Sequence, residues 1–230
     1  MDLSQYYFVN NAFADFVRGE GAELLQKYVV VKPYEKGQSV FSDGAYPKGV
    51  FLIEKGKIKI FQKREEGFEQ VLNIHVPGEI VGYRPLLCEE KYPVGATAIE
   101  DCQLSFIPKK HFLAALNQSS TLSNMLLKFL SYEFTVWVNT ISNLKDRSVK
   151  ERLHLNLLIL IQKYRGKKKW PVEITLSRAD LAGLVGTSHE TLARLLKVLR
   201  EEKCFAVKGR KIIFQNIDQE EQLRTFLQHF

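Results

Sequence analysis

Cysteine is scarce: Cys88, Cys102 and Cys204 are the only three among 230 residues. They are odd in number, far apart and never in a Cys-x-x-Cys pair. That argues against a disulfide framework and against a zinc or iron–sulfur ligand set, and it suits buried thiols in a reducing cytoplasm. Long apolar runs are missing too. The longest, such as 157–161, fall well short of the roughly 18 residues of a membrane span, so no membrane partner is expected. The start, Met-Asp-Leu-Ser-Gln, has no basic stretch followed by an apolar one, and a secretory leader is not expected. Gly-x-Ser-x-Gly, P-loop and Gly-x-Gly-x-x-Gly motifs are absent. Before His111 the strand-rich part holds only His75, so the three-histidine set of a cupin metalloenzyme cannot be assembled there. An enzyme is not expected.

What is present is the composition of a folded protein, 45% hydrophobic and 26% charged, with length enough for two domains. The net charge of +7 is unevenly placed. Residues 1–145 carry 16 basic and 16 acidic side chains, whereas 146–230 carry 17 and 10. A neutral body joined to a basic module points to a polyanion partner, with a merely solvated basic face as the alternative.

The hydropathy pattern changes twice. Residues 11–28 read as short helices. From 29 to 107 short strands alternate with turn signals: Val50–Ile53, the Lys55-Gly56 turn, the period-two start of 57–63, 71–76, Pro77-Gly78-Glu79, then 96–99 and 103–107. Such spacing predicts a small barrel or jelly roll. A short helix at 109–116 and a long one from Ser120 to about Lys145 follow. The long helix carries Leu126, Leu130, Phe134, Trp137, Ile141 and Leu144 on one stripe and Met125, Phe129, Tyr132 and Val136 on another. One stripe can cover the barrel. The first is assigned to a dimer interface, a helix sandwiched within one subunit being the alternative.

After Arg147-Ser148-Val149 comes an apolar helix over 151–164 and the basic loop 165–169. Ser177-Arg178-Ala179-Asp180 then reads as a capping box, and Thr187-Ser188-His189-Glu190 as a second one. Leu181, Leu184 and Val185 face Leu192, Leu195, Leu196 and Leu199 across small Ala182 and Gly186, the pattern of a helix-turn-helix. A second helix over 188–200 would then present His189, Glu190 and Arg194 to base edges in the major groove. Arg194 suits guanine or a phosphate; Glu190 suits a cytosine amine or is only a cap. Thr187, Ser188 and Thr191 at the helix start, with Arg178 and Lys197, are candidates for the remaining DNA contacts. The pairs 204–207 and 211–214 make a hairpin with Lys208 and Arg210 at its tip, a wing against the sugar-phosphate backbone.

Phe51-Leu52-Ile53-Glu54-Lys55-Gly56-Lys57, Pro77-Gly78-Glu79 and Thr187–Arg194 resemble the cAMP receptor protein/FNR family of bacterial transcription regulators, over nearly the whole chain. The resemblance implies an α+β protein: a cyclic-nucleotide-binding-like β-roll, a double-stranded jelly roll, over 1–119; a dimerisation helix over 120–146; and a winged helix-turn-helix over 147–230. It implies a homodimer on double-stranded DNA that reads a TGA-containing palindrome, with Glu190 and Arg194 at the base-reading positions. It also implies RNA polymerase as a partner should the protein activate.

The effector residues depart from that family's pattern. Tyrosine follows Gly82 where the cAMP pattern has glutamate, and Tyr92-Pro93 replaces its Arg-Ser pair. Loss of that arginine leaves a buried phosphodiester undercompensated, so cAMP is not the expected effector. No cysteine precedes Cys88, against an FNR-type iron–sulfur cluster, and lone His75 or His111 is a poor basis for haem. Tyr83, Arg84, Tyr92 and Trp137 are the candidate pocket for some other effector, with Arg84 alternatively paired to Glu89, Glu90 or Asp101. A rival to the gene-regulator reading is an adaptor whose basic module binds an acidic protein.

Overall fold

The structure, a computed structural model, describes all residues except Met1, Val9, Glu20, Gly21, Glu65, Glu66, Lys167, Lys168, His229 and Phe230, and omits the side chains of Leu24, Asn143, Leu144 and Gln228. The chain divides into two compact units: 8–63 with 72–134, and 1–7 with 64–71 and 135–230.

The first unit holds, apart from the first three residues of β5, eight strands, β1 Val30–Tyr34, β2 Ser39–Phe41, β3 Gly49–Lys55, β4 Ile58–Lys63, β5 Glu69–His75, β6 Ile80–Val81, β7 Gly95–Ala98 and β8 Cys102–Pro108. They pair as two antiparallel sheets in the orders β1-β8-β3-β6 and β2-β7-β4-β5, the strand order of a jelly roll. β3 is apolar on both faces, and Val50, Phe51, Leu52 and Ile53 are all buried. One face meets Ile58, Ile60, Val81, Ala96 and Leu104 inside the roll. α4 (Lys109–Gln118) packs on β3, and its Phe112 meets Phe13 of α1 (Ala12–Arg18), both rings fully buried. α2 (Glu23–Gln26) lies against α4. Gly56 closes the expected turn at φ +83°, where a Cβ would lie 2.5 Å from the Cys102 Sγ. Asn10, fully buried, extends the β6 edge by a side chain: its amide donates to the Ile80 carbonyl at 2.9 Å and its oxygen accepts from the Ile80 N–H at 2.8 Å.

After β6 the chain forms a helix that the sequence pattern did not suggest, α3 (Tyr83–Leu87), launched from Gly82 at φ +84°. α5 (Ser120–Asp146) is the expected long helix, its start capped by Ser119, whose hydroxyl accepts from the Leu122 N–H at 3.2 Å. Leu122, Leu126 and Phe129 are buried, Phe129 edge-on to Phe8. Leu126, assigned above to a dimer interface, is only 2% exposed within its own chain. The stripe left open is one residue on: Leu127, Phe134, Val138 and Ile141 are exposed, Leu130 and Trp137 half-buried, and the side chain of Leu144 lies outside the described residues.

In the second unit α6 (Val149–Arg165) begins with a full capping box, Ser148 accepting from the Glu151 N–H while Glu151 accepts from the Ser148 N–H. That Ser-x-x-Glu signature is legible in the sequence beside the break noted there. α6 is buried through Leu153, Leu157, Leu158, Leu160 and Ile161. Around it lie β9 (Val172–Ile174), α7 (Arg178–Val185) and α9 (Ile217–Gln228). Buried Glu220 of α9 accepts from Gln162 and Arg165 of α6 and from Arg224. α8 (His189–Glu201) follows α7, and β10 (Ala206–Lys208) and β11 (Lys211–Phe214) complete a β10-β11-β9 sheet.

Candidate nucleic-acid interface and effector cavity

The turn between α7 and α8 is made by Gly186, left-handed at φ +69°, with the Gly186 and Thr187 N–H groups both donating to the Ala182 carbonyl. This double bond to one carbonyl stops α7 and sends the chain off at an angle. Ser177 starts α7, accepting from the Asp180 N–H at 3.0 Å. Ser188 starts α8, accepting from the Thr191 N–H at 3.2 Å and donating its hydroxyl to Thr191 Oγ1 at 3.0 Å. The second cap is therefore centred one residue later than the sequence suggested. Thr191 fills the position expected for Glu190, which is left exposed outside the cap.

On α8, Leu192, Leu196 and Leu199 are buried and face α7. His189, Glu190, Ala193, Arg194 and Lys197 are exposed. At about 100° per residue these five span an arc of about 140° opposite the leucines. Thr187 and Thr191 are half-buried and Ser188 is exposed at the helix start. Arg178, at the start of α7, is half-buried, and its Nη1 is buried with no hydrogen-bond partner among the described residues. Lys208 pairs in register with Lys211 across the wing turn at Gly209, and Lys208 and Arg210 are exposed. Lys211 differs: its Nζ lies 2.6 Å from Glu173 of β9 and holds that carboxyl below the usual carboxylate range.

Sequence reasoning missed Arg152 of α6. Its guanidinium donates to the carbonyls of Val185 at 2.9 Å, Gly186 at 3.1 Å and Arg147 at 2.9 Å. The available signal was an arginine in the first turn of α6, just before the leucine-rich stretch 153–161.

The first unit holds a cavity of about 440 Å³ between β6, α3 and the 88–94 loop. Tyr83, Arg84 and Tyr92 line it, as expected. Trp137 does not; the long helix contributes Glu133 instead, one turn earlier. Arg84 pairs with Glu133, Nε to Oε2 at 3.5 Å, rather than with Glu89, Glu90 or Asp101. Burial, and then the Glu133 charge, raise the Tyr83 phenol far above its ordinary value, so it keeps its proton. Tyr92 stacks on Phe41 with centroids 4.0 Å apart, and burial pushes its pKa up to about 12. His75, also lining the cavity, meets Glu79 at 2.5 Å, both side chains buried. His111 lies elsewhere, stacked on Tyr28.

The cyclic nucleotide-binding domain family matches residues 31–119, and the Crp-like helix-turn-helix domain family matches 151–224. Between them they take in most of the chain. It belongs to the cAMP receptor protein/FNR family of transcription regulators. The fumarate and nitrate reduction regulatory protein of Escherichia coli K12 is 28% identical over 194 residues, 84% of this chain and 77% of that protein. The fold is shared with FixK2 from Bradyrhizobium japonicum (TM-score 0.76, 18% identity, 86% of this chain and 96% of the other). It is also shared with a CooA variant from Carboxydothermus hydrogenoformans (TM-score 0.73, 17% identity, 92% and 94%). This family member is accordingly a DNA-binding regulator and not an enzyme. Among the described residues no helix is long and apolar enough to cross a membrane.

Proposed function

We propose that this regulator works in the cytoplasm as a homodimer, placing two α8 helices in successive major grooves of a palindromic site with TGA-type half-sites. The observation that carries the reading is the α8 surface, where every side chain assigned to bases is exposed while Leu192, Leu196 and Leu199 behind it are buried and Leu195 is half-buried. Glu190 and Arg194 read base edges. Thr187, Ser188, Thr191, Arg178 and Lys197 hold phosphates near the helix, and Lys208 and Arg210 do so from the wing. The dimer reading is supported by Leu127, Phe134 and Ile141, exposed at seven-residue intervals along α5, the repeat of a two-helix seam. If the protein activates, RNA polymerase is its further partner.

The cavity is the place for an effector other than cAMP. Its arginine is engaged by Glu133, and a buried carboxylate opposes a phosphodiester. Tyr92-Pro93 supplies no replacement charge. Fluorescence anisotropy with a TGA palindrome and a scrambled duplex tests the DNA reading. Preference for the palindrome by at least tenfold at fixed salt is expected; equal binding that fades together with salt would sink it. Thermal melting with millimolar cAMP tests the effector reading, with no shift expected.

A further inference from the structure

Two polar atoms on residues that line the cavity are left unsatisfied. Tyr83 Oη and Glu133 Oε2 are both buried, and neither makes a hydrogen bond among the described residues. Tyr83 is only 2% exposed, and burial beside Glu133 keeps its phenol protonated, hence a donor. Before a ligand enters, water can serve such atoms. A ligand that displaces the water must replace its hydrogen bonds.

Arg84 stands next to them in an unfinished ion pair. Its Nε lies 3.5 Å from Glu133 Oε2, well beyond the roughly 2.7–2.9 Å of a charge-assisted hydrogen bond. The guanidinium makes no hydrogen bond among the described residues. The pair is therefore a dipole with spare donors at its positive end and a spare acceptor at its negative end. A lone anion is opposed by buried Glu133, and a lone cation by Arg84. An uncharged head leaves the dipole unmatched. A zwitterion laid antiparallel to the pair satisfies both ends at once.

Other charges on the wall do not tip this balance. Exposed Glu90 and Lys91 add one of each sign, and His75 is engaged by Glu79 at 2.5 Å. The rest of the lining is largely apolar: Ile60, Ile80 and Val94 are buried, and Tyr92 stacks on Phe41. A volume of about 440 Å³ lies near the lower end of the range for small-molecule sites. It suits a compact charged head and a single apolar body.

The geometry points to a free α-amino acid with a large apolar side chain as the ligand of this cavity. Its carboxylate accepts from Arg84 and Tyr83, its ammonium donates to Glu133, and its side chain lies among Ile60, Ile80, Val94 and the Phe41–Tyr92 stack. Both charges of such a molecule sit on one carbon, close enough together to meet both members of a single ion pair. The inference rests on the effector reading above and gives that effector a chemical class.

Calorimetry on the full chain with L-phenylalanine, phenethylamine and 3-phenylpropanoate tests it, because the last two lack one charge each on nearly the same skeleton. Saturable binding of phenylalanine is expected, with each analogue at least tenfold weaker. Glu133→Gln and Arg84→Gln should each weaken phenylalanine at least tenfold. Glu133→Gln should not weaken 3-phenylpropanoate, nor Arg84→Gln phenethylamine, since each variant removes the charge that opposes that analogue. Melting without ligand shows whether the variants fold; should they not, the comparison of the three probes on the unaltered chain decides alone. No binding of phenylalanine overturns the proposal. An analogue that binds as tightly overturns the zwitterion and leaves the cavity to another effector. Phenylalanine bound equally by the unaltered chain and both folded variants lies outside the cavity, which also overturns the proposal. Anisotropy on the TGA palindrome with saturating phenylalanine separates the two readings: binding as expected with unchanged DNA affinity keeps the amino-acid site and overturns its role as an effector site.

Discussion

Arg152 holds Gly186 by its carbonyl, Nη2 to oxygen at 3.1 Å, and reaches the Val185 and Arg147 carbonyls with the same guanidinium. One side chain on α6 thereby satisfies the end of α7 and the segment joining α5 to α6. The five donors of a guanidinium, spread over a rigid planar fork, let one side chain serve three separated carbonyls at once. Arg152→Ala strands them, and hydrogen bonds from a charged donor contribute about 1.5–3 kcal/mol each at most. A loss of about 2–3 kcal/mol in urea unfolding is expected, with Arg152→Lys recovering a minority of it. Weaker DNA binding should accompany the loss, because the Gly186 turn aims α8.

Base reading and phosphate holding separate by substitution. Arg194→Ala should cost about 1–3 kcal/mol on the palindrome and relax selectivity at one base pair in a binding-site selection. Lys208→Ala should weaken all duplexes alike and reduce the slope of log affinity against log salt by about 1. Lys211→Ala should change the slope less, because Glu173 already engages that ammonium. Equal slopes for the two lysine variants would count against the wing assignment.

The helix-turn-helix was legible because several local signals agree: serines at both helix starts, Gly186 at the turn, and leucines spaced to meet across it. The roll was legible through β3, β4, β5 and β8, which are long or strongly patterned. β6 spans two residues, β2 and β9 three each, too short for any period to show. β1 contains Pro33, and α3 contains Pro85, which obscures a five-residue helix. The long helix shows a different limit. Its surface is apolar nearly all round, so choosing Leu126 over Leu127 is a rotation of about 100° that hydropathy cannot decide. The same ambiguity placed Trp137 at the cavity, where Glu133 stands one turn earlier. Arg152 acts through tertiary contacts, and nothing in its own neighbourhood announces its partners.

Acid should destabilise the second unit through His154. Its ring is buried, stacked on Phe226 at 4.1 Å, with Nδ1 against the Lys150 carbonyl at 2.7 Å. Burial lowers its pKa, Lys150 adds to that, and the Lys150 carbonyl with Glu202 and Glu151 opposes it. The folded protein therefore binds this proton less readily than the unfolded chain, whose value is about 6.5. The associated stability is fully present above that value and is lost as pH falls below it toward the depressed folded pKa. Thermal melting between pH 7.5 and 5.5 should show a falling midpoint. His154→Phe should flatten the slope, and an unchanged slope would assign the acid sensitivity to other groups.

The dimer seam and the buried stripe of α5 answer to different measurements. Phe134 is 70% and Ile141 64% exposed in the single chain, so Phe134→Glu and Ile141→Glu place charge on a surface that the fold itself leaves open. Folding should survive, while two charges facing their copies across a two-fold seam should shift sedimentation equilibrium toward monomer and weaken binding to the full palindrome. Leu126→Ala should do the reverse. It empties a covered site at a cost of about 2–5 kcal/mol, read as a lower melting midpoint, with the mass of the folded species unchanged. Were Leu126→Ala to dissociate a well-folded dimer while Phe134→Glu did not, the seam would have to lie on the stripe that this structure buries.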